Sequence, residues 1–255
     1  MPDRLSASSV QALLDSYPRA RPPLPAGNAG IYLDEYQINR GGRGGLLYRA
    51  TAMLESWMHR RIAAAHGPRD RILELGAGTL NHLGFEPAAS RYDVVEPMKA
   101  LFEESPLRRR IDSEYASVFE IERSEQYDRV LSVAALEHLE EMPAIIAASA
   151  RLIREGGVFQ AGIPAEGGLL WGLAWRLTTA IAYRARTGLA YAPVMRHEHL
   201  NTAAEILSVI EHLFTDVRVR WFPLPHRHLA FYGYIEASRP RLACCDQILR
   251  KREGQ

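Results

Sequence analysis

The chain has 255 residues, 47% of them hydrophobic, which is enough for one substantial α/β domain and too apolar for global disorder. Formal net charge is +1, from 31 Lys and Arg against 30 Asp and Glu; the basic residues are spread along the chain, with a short cluster at Arg108, Arg109 and Arg110. That balance gives no electrostatic case for nucleic acid as the main partner.

The cysteines, Cys244 and Cys245, are adjacent, and a bond between them would close almost no chain. A reduced, cytoplasmic protein is expected. The N-terminus, "MPDRLSASSVQALL", lacks a basic start followed by an apolar core, so no secretory leader is expected.

Residues 1–69 read as a helical and extended segment. "RARPPLPAGNAG" should be loop, "GGRGG" at 41–45 another break, and a helix should run from Leu46 to a stop at Gly67-Pro68. Alternation then begins. "RILEL" reads as a first strand and "TLNHLGFEP" as a helix or helical turn. "YDVVEP" reads as a second strand, "MKALFEES" as helical, and a third strand falls within "IDSEYASVF". "YDRVLSVAAL" is a strongly marked fourth strand. A helix carrying Met142, Ile145, Ile146, Ser149, Leu152 and Ile153 on one face should end at Gly156-Gly157. "VFQAGIP" is a fifth strand.

An insertion follows at about 165–200. It contains "GGLLWGLAWRLTTAIAY", which Arg176 and two threonines interrupt and which is too short to span a bilayer. A buried or lid helix ending at Gly188 is expected there, with shallow membrane contact the lesser alternative. Thr202 and Glu205 form a capping-box signature for a helix to about Leu213. "DVRVRWF" and "HLAFYGYIEA" read as an antiparallel pair at the sheet edge, and 241–255 as a tail. The expected fold is therefore α/β: a Rossmann-like, seven-stranded, mostly parallel sheet with helices on both faces, over residues 70–240, with the last strand antiparallel.

The stretch "RILELGAGTLNHLG" runs a strand into a glycine turn. Gly76 and Gly78 allow a sharp turn and close approach to a ligand, and a helix after them would add free amides and a positive dipole end. A dinucleotide fingerprint needs a third glycine at 81, where this chain has Asn81, so a pyrophosphate ligand is disfavoured. Glu74 precedes the turn and would suit a ligand with an ammonium group. Glu96 closes the second strand about 20 residues beyond Gly76, where ribose-binding acids stand in nucleotide folds.

In order and spacing, "LELGAGT", "YDVVEP", "YDRVLSVAALEHL" and "LIREGGVFQAGIP" resemble the motifs of class I S-adenosylmethionine-dependent methyltransferases, and "GAGTLNH" with "GIPAEGG" resembles a bacterial group of that class. The resemblance implies S-adenosylmethionine as cofactor. It implies that Glu74, Gly76, Ala77, Gly78 and Thr79 surround the methionine part, with Asn81 and His82 nearby. Glu96 would hold the ribose, and Pro97, Met98, Ser117 and Val118 would border the adenine. Ala134 and Ala135 would line the cofactor by backbone. Many members have a further glycine where this chain has Leu80, so the helix start should differ here.

Methyl transfer needs an aligned acceptor and, for some acceptors, a base. Three stretches should meet beyond the strand ends: "LEHLEE" with His138, "IPAEGG" with Glu166, and "MRHEHLN" with His197, His199 and Asn201. His199, His197 and His138 are the candidate bases, in that order. Glu166, Asn201, Trp171 and Trp175 are candidate acceptor contacts. In an extended segment His197 and His199 could share a side, but no second ligand cluster accompanies them and no metal is expected. The leading expectation is a methyltransferase acting on a small molecule, at oxygen, with a sugar or glycan precursor as the suggested acceptor. A nicotinamide-dependent oxidoreductase and a non-catalytic cofactor binder on the same fold are the alternatives.

Overall fold

The computed structural model describes residues 6–32, 46–64, 67 and 70–254. The expected break at 41–45 and Pro68 lie outside these residues. The elements are α1 (Ala7–Asp15), α2 (Leu46–Ala63), β1 (Arg71–Leu75), β2 (Arg91–Val95), β3 (Ser113–Tyr115), β4 (Tyr127–Val133), α3 (Met142–Arg151) and β5 (Ile153–Pro164). Then come α4 (Leu169–Leu177), α5 (Thr179–Thr187), α6 (Ala192–Glu198), α7 (Ala203–Leu213), β6 (Phe214–Pro223), β7 (Ala230–Pro240) and α8 (Leu242–Glu253). Residues 26–32 form a further helical segment, although the run up to residue 30 reads as extended or loop.

One seven-stranded sheet organises the chain, in the order β3-β2-β1-β4-β5-β7-β6. β1, β2, β3, β4 and β5 are parallel neighbours, and β7 runs antiparallel to both β5 and β6. This is the expected topology. β1 and β4 are buried along almost their whole length because helices cover both sheet faces. On one face Leu73, Leu75, Val130 and Phe159 pack against α1, α3, α7 and α8. On the other, Ile72, Val94, Leu131 and Tyr234 pack under Met58 and Ile62 of α2. The chain steps outward from β1 to β3 and then returns to β4, so the strand order reverses between β1 and β4. Open α/β sheets hold their ligands in that crevice, at the carboxyl ends of the strands.

Several boundaries differ from expectation. α3 ends at Arg151, and Ile153 already pairs with Tyr127 in the sheet. The bend after it is taken by Gly156, at φ +79°. The single lid helix is instead two, broken at Thr178, where φ −118° and ψ −80° leave the helical region. α5 stops at Gly188 in the left-handed conformation, as expected of a C-terminal glycine. The capping box is present: the Thr202 hydroxyl accepts from the Glu205 amide, and Glu205 accepts from the Thr202 amide. Residues 242–253 form α8, which buries Cys245 and Leu249.

Candidate active site

β1 ends at Leu75 and the chain turns at once. Gly76 sits at φ +69° and Gly78 at φ +52°. A Cβ on Gly76 would lie 2.5 Å from the Ala135 Cβ, so this turn needs glycine and brings the end of β4 against it. Of the helix or helical turn expected next, only a short turn forms. Leu80, fully buried, takes φ +64°, a left-handed conformation that strains a side-chain-bearing residue. Only a three-residue 3-10 helix, His82–Gly84, follows, so the ligand-facing feature is the turn itself rather than a helix dipole. Thr79 is half-buried and Ala77 buried behind the turn.

Glu96 closes β2 with its carboxylate bridging two amides. Gly78 N–H donates to Oε2 at 2.9 Å, and Met98 N–H donates to Oε1 at 2.9 Å. Each oxygen keeps a further lone pair, so the group still accepts hydroxyl hydrogens. Pro97 is exposed beside it, and Met98 is 52% exposed, an apolar wall with little protein over it. Ser117 caps the turn after β3, and Val118 is buried behind it. Ala134 is exposed at φ +50° and its amide donates to the Gly162 carbonyl at 2.8 Å. The glycine turn, the Glu96 carboxylate and the end of β4 thus meet at the carboxyl ends of the strands, where Glu96 could accept the hydroxyls of a ribose-bearing ligand.

Two expected ligand contacts are placed otherwise. Glu74 is enclosed on the α2 side of the sheet, and its carboxylate accepts from the Tyr92 hydroxyl at 2.7 Å. Burial raises its pKa. His82 belongs to the same interior. Its Nε2 lies 2.9 Å from Glu86 Oε1 and its Nδ1 lies 3.2 Å from His59 Nδ1. Glu86 also accepts from Arg129 at 2.9 and 3.0 Å. Burial alone would raise the Glu86 pKa, but His82 and Arg129 lower it to about 2. Asn81 is exposed and its side chain makes no cap hydrogen bond.

Directly after Ala135, a 3-10 turn presents Glu137 and His138. The His138 Nδ1 lies 2.8 Å from the Glu198 carbonyl oxygen. A carbonyl only accepts, so Nδ1 carries the proton and Nε2 is the basic nitrogen of the neutral ring. That Nε2 faces Glu137 Oε1 at 3.8 Å. The His199 ring meets the His138 ring edge-on at 4.9 Å. The His199 Nδ1 is 3.1 Å from Glu166 Oε2, in ion-pair contact but off hydrogen-bond alignment. Trp171 donates its indole N–H to the same Glu166 oxygen at 2.6 Å and packs on Tyr232 at 5.9 Å. His138, Glu166, Trp171 and His199 are therefore one cluster, as expected.

Sequence reasoning missed two members, Glu137 and Tyr232. Glu137 is almost fully buried, and its Oε2 has no hydrogen-bond partner among the described residues. Burial raises its pKa to about 7, with Glu166 and Glu55 adding repulsion and His199 opposing. Burial lowers the pKa of His199, but the Glu166, Glu137 and Glu198 carboxylates more than offset this and the net shift is upward. The "LEH" motif was a signal for Glu137, and the alternation of "HLAFYGYIEA" was one for Tyr232.

Three expected contacts lie elsewhere. His197 is on α6, not in an extended segment, and residues two apart on a helix point about 200° apart. Its Nδ1 lies 2.7 Å from the Pro22 carbonyl, so it pins the N-terminal segment. Asn201 is fully buried and its amide is spent on protein: it accepts from Tyr17 at 2.6 Å and donates to the Leu136 and Leu139 carbonyls at 2.8 Å each. Trp175 packs inside the lid against Tyr191 at 6.1 Å. Among the described residues, no group of three or more His, Cys, Asp or Glu side chains is arranged to hold a metal ion.

No protein-family model matches the chain. No curated protein matches it either. Solved structures do. A SAM-dependent methyltransferase of Thermotoga maritima, described as a possible histamine N-methyltransferase, aligns with TM-score 0.53 at 13% identity, covering 81% of this chain and 98% of its own. DhpI in complex with SAH aligns with TM-score 0.51 at 15% identity, over 92% and 98%. A possible exported protein of Bordetella parapertussis aligns with TM-score 0.53 at 13% identity, over 94% and 81%. The fold is that of the class I S-adenosylmethionine-dependent methyltransferases.

Proposed function

We propose that this chain is an S-adenosylmethionine-dependent methyltransferase acting on a small-molecule acceptor. The observation that carries the reading is the contact of Gly76 with Ala135. It joins the ribose-binding crevice of Glu96 to the cluster that begins at Glu137, one residue further along than Leu136. Bound in the crevice, S-adenosylmethionine supplies an electrophilic methyl group. Glu96 holds the ribose hydroxyls, and the glycine turn lets backbone approach the amino-acid part.

The protein's remaining work is alignment and proton handling. Trp171 and Tyr232 wall the acceptor. The Glu198 carbonyl fixes the His138 ring so that Nε2 can take a hydroxyl proton, and His199 stands beside it with Glu166 to balance the charge that results. This arrangement supports an oxygen acceptor, such as a sugar hydroxyl. An amine is the second reading, favoured by the unpartnered Oε2 of Glu137. Calorimetry with S-adenosylmethionine, S-adenosylhomocysteine and NAD tests the cofactor: tight binding of NAD alone would overturn the reading. Turnover on a panel of alcohols and amines then separates an enzyme from a non-catalytic binder.

A further inference from the structure

The lid helices α4 and α5 have an inner side that the site uses and an outer side that it does not. Trp171 and Tyr183 face inward. Leu169, Leu173, Leu177 and Ile181 recur every fourth residue and are between 56% and 67% exposed. Within α4, positions four apart share a face, so its three leucines form one stripe. The water side of a surface helix is ordinarily polar. The turn after β6 lies against the start of α4. Leu224 and Leu229 are each about half exposed, and the turn's Arg227 carbonyl stands 2.8 Å from where a Gly168 Cβ would be, at the start of α4. An exposed apolar stripe of this kind marks an interaction surface.

We propose that this outer lid face is a docking site for an anionic phospholipid surface. The charge pattern selects that occupant. From Gly167 to His197 the chain has no Asp or Glu, and it has four arginines. Arg176, Arg184 and Arg186 are exposed on α4 and α5 themselves. Exposed leucines flanked by arginines, with acids excluded, are the composition of a helix that lies in a membrane interface. A second copy of the chain fits less well, because a two-fold contact through this face would set the same arginines against each other. Anionic headgroups neutralise them instead. The mode is surface attachment: α4 and α5 have nine residues each, and among the described residues no helix is long and apolar enough to cross a membrane.

Sedimentation of the full chain with vesicles tests the proposal. The chain should pellet with phosphatidylcholine vesicles containing phosphatidylglycerol and stay largely in solution with phosphatidylcholine alone. Combining Leu173→Ser, Leu177→Ser and Ile181→Ser should weaken partitioning at least tenfold. Arg176→Gln and Arg184→Gln should each weaken it roughly fivefold, on anionic vesicles only. Thermal melting and S-adenosylmethionine binding of these variants, measured alongside, should match the parent, since none of the residues touches the cofactor crevice. Two results overturn the proposal: parent and leucine variants partition alike, or the parent forms a dimer in light scattering that the leucine variants abolish while vesicles recruit neither.

Discussion

Glu96 and Gly78 are joined across the crevice by a 2.9 Å hydrogen bond, the glycine amide donating to the carboxylate that ends β2. The acid that should hold the ligand's ribose therefore also shapes the turn that should hold its amino-acid part. Such a turn is preorganised before any ligand arrives. Losing either partner should loosen both ends of the site.

Glu96→Ala should weaken S-adenosylmethionine binding by roughly tenfold to hundredfold, from the loss of charged hydrogen bonds contributing about 1.5–3 kcal/mol. Calorimetry reads the affinity, and circular dichroism checks the fold. Unchanged affinity in a folded variant would mean that another residue holds the ribose.

The histidines divide by position. His199→Ala and His138→Ala should each lower kcat/KM by roughly 10²–10⁴ if the acceptor loses a proton to this cluster. His197→Ala should leave turnover near the parent value, because its ring is bonded to the Pro22 carbonyl. Cofactor affinity should hold in all three. Steady-state kinetics on the acceptor found in the panel decides the matter, and a large loss in His197→Ala would contradict the assignment.

Ala134 offers a test of backbone strain. It is exposed at φ +50°, where a Cβ is disfavoured and glycine is not. Ala134→Gly should raise stability by about 1 kcal/mol, against the usual direction of an Ala-to-Gly change. Denaturant unfolding measures it. A fall of similar size would show that the left-handed conformation is not held in solution.

The sheet was legible because its strands are short apolar runs closed by strong punctuation: Gly76 after "RILEL", Pro97 after "YDVVE". Glu96 was legible for the same reason, since a strand end fixes where its last side chain stands. The lid was harder. Thr178 and Thr179 interrupt the apolar run, but Ala180, Ile181 and Tyr183 resume it, so the pattern reads as one helix across the break between α4 and α5. His197 and His199 look equivalent in sequence, and only the short helix that Pro193 opens puts them on different sides. Glu137 was missed because what makes it unusual, burial beside His199 and Glu166, comes from segments far along the chain. Residues 242–253 carry apolar residues at Leu242, Cys245 and Leu249, but their charge invited a reading as tail.

Glu137 makes stability depend on pH. In the folded chain its carboxyl keeps a proton up to about pH 7. In the unfolded chain the same group titrates at about 4.3. Between these values the native state binds the extra proton, so stability should fall as pH rises through that window. His199, with its pKa raised, acts in the same direction: its contribution is complete below its unfolded value of about 6.5 and is lost as pH rises through the higher folded value. The two titrate as a coupled pair, so the slope belongs to both. Glu137→Gln removes the carboxyl's contribution. Its melting temperature should exceed that of the parent at pH 8, where the parent bears a buried charge costing on the order of 3 kcal/mol. At pH 5, where the parent carboxyl is protonated, the two should melt nearly together. Calorimetric melts at both pH values check this, and parallel curves across the range would mean that Glu137 titrates as an ordinary carboxyl.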